Sequence, residues 1–297
     1  MKRRNSLIEL FRFIFAMNVV KNHGYFPYQG PYFGPGRISV EFFFILTGFL
    51  LVRSVDKYLD KPFWQGLRGF FWSKLKSILI PVLIAIPFNL WYSYLDGDGI
   101  NLWGYLWYVN QMLIYIPIFF LVRYFIKNNN KFLLVIGIAC IIATVLNMTN
   151  FFYEWGVIRA VMAISLGVLI SHIPPLKIKN DFLKWMIVVP LMLLTFIILF
   201  YPTNLAIEKL AHLVVYPMLI YFTFQLTVHN VVLNYLGSLS FGLYAFQCIV
   251  RPIELMGYEN VWVMFFIIVI LTLLEDTCKR IYRFIKQRKH KKIKTIV

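Results

Sequence analysis

Arg12 and His23, both ionisable, stand inside the apolar stretch "FRFIFAMNVVKNHG". They are eleven residues apart, which is three helical turns with about 20° left over, so on a helix they share one face about 16 Å apart along the axis. Ionisable groups within an apolar segment are costly, and by default they mark a functional site. A histidine in such a place suits general-base work, taking a proton from a hydroxyl. The next apolar run, "GRISVEFFFILTGFLL", has Glu41 near its start. If the two runs are neighbouring antiparallel helices, Glu41 falls at the depth of His23, where a carboxylate would fix the imidazole tautomer. Arg159, in "VIRAVMAISLGVL", needs an anion, a carbonyl or a water-filled cavity. The bland reading is that Arg12 snorkels to one interface while His23 and Glu41 reach water at the other. The shared face and the matched carboxylate weigh against it. Asn110 and Gln111 are read as glue between helices.

The surroundings of these residues are those of a membrane protein. Of 297 residues, 60% are hydrophobic, 19% aromatic and only 14% charged, with mean hydropathy +0.70. A soluble domain has about a quarter of its residues charged. Windows of span length give ten candidate helices, centred on 7–26, 38–53, 76–95, 103–125, 132–149, 156–173, 182–201, 209–228, 234–251 and 260–282. The second is short, and is expected to begin further back, near Gly34 or Gly36, or to end below the interface. The fold expected is an all-α polytopic transmembrane bundle of about ten spans, one domain over 1–297, with a basic tail from about residue 284.

The net charge of +17 is unevenly placed. One alternate set of connections holds "MKRR", the segment 53–76, Arg123, Lys127, Lys131, Lys177, Lys179, Lys184 and the tail "KQRKHKKIK". The other holds mainly Asp96, Asp98, Glu154, Glu208, Glu254 and Glu259, beside Arg37, Lys209 and Arg251. The positive-inside rule therefore puts both termini in the cytoplasm, and the start reads as a retained first span. The basic residues serve as topology determinants and contacts to anionic membrane lipids, so no nucleic-acid partner is expected. The outer segment "GYFPYQGPYFGPGR" is turn-rich and suited to fold over a site. Cys140, Cys248 and Cys278 lie in apolar runs without metal-ligand spacing and read as packing residues, so no metal is expected. Signatures of nucleotide hydrolysis, dinucleotide binding, zinc proteolysis and serine-hydrolase chemistry are absent. From the residues alone, a membrane enzyme and a transporter both remain.

Six stretches in order resemble the bacterial membrane acyltransferases of acyltransferase family 3. They are "RFIFAMNVVKNHG", "SVEFFFILTGFLL", "FWSKLKSILIP" (with Lys74 and Lys76 where arginines are usual), "LWYVNQMLIY", "IRAVMAISLGVLI" and "LNYLGSLSFGLYAFQ". The last departs from the family at Gln247, where histidine is usual. The resemblance implies transfer of an acyl group, commonly acetyl from cytoplasmic acetyl-CoA, to a hydroxyl of a saccharide or lipid-linked glycan outside a bacterial plasma membrane. Acetyl-CoA would be a donor substrate, with no cofactor bound permanently. His23 would be the base, assisted by Glu41, and Arg12 would orient the donor. Arg159 would stabilise the oxyanion, and Lys74 and Lys76, with Arg53 and Arg68, would attract the donor phosphates at an inner mouth. Trp107, Tyr244 and Gln247 would line the substrate path. The alternatives are a transporter or flippase for a lipid-linked or anionic solute, and an inactive acyltransferase-like partner in polysaccharide assembly, which Gln247 favours.

Overall fold

The computed structural model describes residues 5–24, 36–76, 78–97, 106–149, 156–178, 180–201, 204–258 and 260–294. The turn-rich outer segment read above lies almost wholly outside them. Among the described residues there is no strand. The helices are α1 Ser6–Asn22, α2 Gly36–Leu59, α3 Phe63–Leu75, α4 Leu79–Asp96, α5 Trp107–Phe125, α6 Asn129–Met148, α7 Gly156–Ser171, α8 Asp181–Phe200, α9 Leu205–Leu210, α10 Tyr216–Thr223, α11 Val231–Leu255 and α12 Val261–Lys294. A π turn, Ala211–Val215, joins α9 to α10, so that Leu205–Thr223 runs as one span.

Each of the ten expected spans coincides with one of these helices or, for 209–228, with this composite. Eight are long and apolar enough to cross a membrane; α1 and α7 are shorter. The second span begins at Gly36 and continues to Leu59. The basic segment after it, read only as a connection, contains α3. The bundle is an all-α, multi-pass membrane fold.

Asparagines set many of the helix starts. Asn5, Asn128, Asn180, Asn204 and Asn230 each precede an apolar helix, and each accepts a backbone N–H of the first turn. Asn5 also donates to the carbonyls of Thr223 and Leu226, both at 2.8 Å, which ties the start of α1 to the end of α10.

Two helix pairs frame the interior. The first, α1 with α11, runs parallel in a steady register. Ser6 donates to Asn234 at 3.1 Å, Glu9 abuts Gly237, and His23 lies within electrostatic reach of Arg251. Each partner is thus 228 residues on. The second pair, α2 with α7, touches backbone to backbone. A Cβ on Gly48 would fall on the carbonyl oxygen of Ile164, and one on Gly167 on that of Ile45. Small residues allow this approach, which membrane helices use because lipid supplies no hydrophobic drive for their association.

Candidate functional site

A cavity of about 1770 Å³ opens at the inner end of the bundle. Lys74 and Lys76 stand at its mouth, and Arg12, Thr47, Tyr108 and Tyr244 line it further in. Its wall on α11 runs from Val231 to Phe246, about 22 Å of helix. Arg12 is held toward it by Glu9, whose Oε2 accepts from Nη1 at 2.8 Å. Tyr108 packs edge-on against Tyr244 with ring centres 5.5 Å apart, and its hydroxyl lies 3.4 Å from that of Thr47.

Lys74 is outside the spans, half sunk beside α2, with its ammonium 2.5 Å from Ser54 Oγ. Burial, and then the nearby Lys57, push its pKa down to about 8. The other two cations expected at the mouth are elsewhere. Arg53 lies over the rings of Phe49 and Phe224, at 4.4 and 4.7 Å, and Arg68 faces a separate hollow on α3. Of the cysteines, Cys140 and Cys248 are buried as expected, whereas Cys278 is exposed and lines the cavity.

His23 caps the outer end of α1, and Gly24 follows with φ +86°, a turn that a side-chain-bearing residue would adopt only with strain. It keeps the face of Arg12. Its charged neighbours on α11 are Arg251 and Glu254, which pair with each other. Counting on the α1–α11 register, the cavity's end at Phe246 is about five residues, or 8 Å, below His23.

Glu41 is not at the depth that antiparallel pairing suggested. Asn18 donates to Ser39 Oγ at 2.9 Å, and Phe42 stacks on Phe15 at 4.0 Å. Glu41 is therefore level with residues 15–18 of α1, roughly two turns deeper than His23. Its carboxylate faces α7 and the π turn, where it accepts from Arg159 Nε at 2.8 Å and meets His212 Nδ1. Glu41 and His212 are 2% and 5% exposed, so this is an ion cluster within the bundle. The Arg159 guanidinium also lies over Trp107, 5.4 Å from the ring centre.

The structure thus sorts the candidate residues into three groups. Arg12, Lys74, Lys76 and Tyr244 share the cavity. Glu41, Arg159 and Trp107 join the buried ion cluster. His23 stands above with Arg251 and Glu254. Gln247 belongs to none of these groups: it is fully buried between the cavity's end and the level of His23, and among the described residues neither end of its amide has a hydrogen-bond partner.

Sequence reasoning missed His212, Tyr108 and Glu254. A lone histidine in an apolar run has no spacing to announce it, although π turns are frequent at functional sites. Among the described residues no cluster of His, Cys, Asp and Glu could hold a metal.

A sequence profile of the acyltransferase domain matches residues 5–274. The chain belongs to acyltransferase family 3. It is a multi-pass membrane acyltransferase, and the match takes in both ends of the path just described, from Arg12 to Glu254. No curated protein and no solved structure matches this acyltransferase.

Proposed function

We propose that this acyltransferase moves an acetyl group from cytoplasmic acetyl-CoA to a hydroxyl of a saccharide or lipid-linked glycan outside a bacterial plasma membrane. The observation that carries the reading is the cavity. It begins at two lysines on the side assigned to the cytoplasm and reaches Arg12, on the helical face that ends in His23. Coenzyme A is a polyanion on a long, thin arm, so the cations suit its phosphates and the channel suits the arm. Arg12, steadied by Glu9, orients the donor.

In the transfer, the acceptor hydroxyl gives its proton to His23 as its oxygen bonds to the thioester carbonyl carbon. The C–S bond then breaks, and the departing thiolate takes the proton back from the imidazolium. Glu254, within electrostatic reach of His23, would steady that imidazolium against the opposing charge of Arg251. Glu41 instead holds Arg159 against Trp107, away from the cavity's lining, so Arg159 is not an oxyanion donor in this reading. The cavity's lining ends at Phe246, about 8 Å short of His23 on the α1–α11 register, and the transfer requires donor and acceptor to meet across that distance.

The test uses inside-out vesicles with matched amounts of wild type or His23→Ala, supplied with acetyl-CoA labelled in the acetyl group. Label is expected in the saccharide fraction, with free coenzyme A released. The variant is expected to lose about 10²–10⁴ of the rate, the usual cost of removing a general base. A variant keeping a tenth of the rate removes His23 from this role. Uptake of solute without release of coenzyme A would favour transport instead.

A further inference from the structure

Helix α3 carries a pattern that the transfer reaction does not use. Trp64, Arg68, Trp72 and Lys76 recur at intervals of four residues, so on a helix they form one slowly turning stripe. All four are exposed, Trp64 by 76%. The opposite face is spent on packing: Phe70 is fully buried and meets Phe119 and Phe120 of α5, and Gly66 lies against the Tyr58 carbonyl of α2. The stripe is therefore an outward surface with no protein over it among the described residues.

Its location is fixed by its connections. Helix α3 starts four residues after α2 ends and stops four residues before α4 begins, so it is held at the inner ends of two spans. That is the depth of lipid headgroups, where indole rings collect and basic side chains meet phosphate. Lys61, Arg68 and Lys76 border a shallow hollow of about 580 Å³ between the two tryptophans. No acidic residue lines it.

The geometry points to this hollow as a binding site for the headgroup of an anionic phospholipid of the inner leaflet. The cations face the phosphate, and the tryptophans flank it at the boundary between acyl chains and water. The donor's phosphates are anionic too, but the hollow is on the outer surface of α3, sharing only Lys76 with the cavity mouth. Two exposed indoles, Trp64 by 76% and Trp72 by 41%, also suit a bilayer interface better than an aqueous nucleotide site. The site stands independently of the acceptor and donor proposed above.

The experiment reads lipid proximity without any turnover. Gln65, which lines the hollow, is replaced by cysteine in a Cys278→Ser background and labelled with bimane. The full-length protein is placed in nanodiscs of equal parts phosphatidylcholine and phosphatidylglycerol, with one or the other lipid spin-labelled on its headgroup. Labelled phosphatidylglycerol is expected to quench several-fold more strongly than labelled phosphatidylcholine, since each basic residue at the surface contributes about five-fold. Lys61→Gln with Arg68→Gln should bring the two lipids close to equal, and Lys61→Arg with Arg68→Lys should keep the preference. Lys76 is left intact because it also lines the cavity. Equal quenching in the parent protein overturns the site. So does reversal of the quenching by added coenzyme A, which would make the hollow part of the donor's path.

Discussion

Replacing Glu41 by Gln tests whether the buried ion cluster holds the middle of the bundle. The Arg159 Nε–Glu41 Oε1 separation is 2.8 Å, and at an effective dielectric near 20 the attraction is about 6 kcal/mol before desolvation. Most of that offsets the cost of taking both charges out of water. Removing one partner of a buried ion pair costs about 3–5 kcal/mol. At about 2–3 °C per kcal/mol for a chain of this length, Glu41→Gln is expected to lower the midpoint of thermal unfolding by ~6–15 °C. The assay heats the purified protein in nanodiscs and measures the fraction remaining monodisperse on size exclusion. The double variant Glu41→Gln with Arg159→Gln removes both charges of the pair, so it should recover at least ~3 °C over Glu41→Gln alone. A single variant within about 2 °C of wild type, or a double variant no better than the single, refutes the claim that these charges clamp α2 to α7.

Three other perturbations have definite expected outcomes. The apparent affinity for acetyl-CoA should fall as pH rises through about 8, because Lys74 loses its charge there, and Lys74→Arg should flatten that dependence in a KM-against-pH profile. Gly237→Ala drives a methyl into Glu9, which holds Arg12 toward the cavity. Overpacking of this kind costs about 1–3 kcal/mol, and steady-state kinetics should show a KM for the donor raised about ten-fold or more. Gln247→Met replaces a buried amide that has no hydrogen-bond partner among the described residues with an apolar chain of similar length, and should raise stability by about 1–2 kcal/mol in the same thermal assay.

The spans were legible because hydropathy over twenty residues needs no tertiary information. The common face of Arg12 and His23 was legible for the same reason, being arithmetic within one helix. Depth between helices is a different quantity. Glu41 was matched to His23 by assuming that two neighbouring helices begin at the same level and present those side chains to each other. The contacts of Ser39 with Asn18 and of Phe42 with Phe15 set the true level, and they turn Glu41 toward α7. The helix α3 escaped because thirteen residues are too few for a span window, although its four-residue stripe stands in the sequence. His212 escaped because its significance comes from a carboxylate far away in the chain.

A π turn holds one residue more than the α turn it replaces. The segments Leu205–Leu210 and Tyr216–Thr223 are therefore phased as they would be in an uninterrupted α-helix one residue shorter. A chain with one residue fewer between 211 and 215 would keep the azimuths of Glu208 and Tyr216 and lose only the widened turn that aims His212 at Glu41. Gain or loss of this histidine contact is thus a matter of chain length more than of substitution.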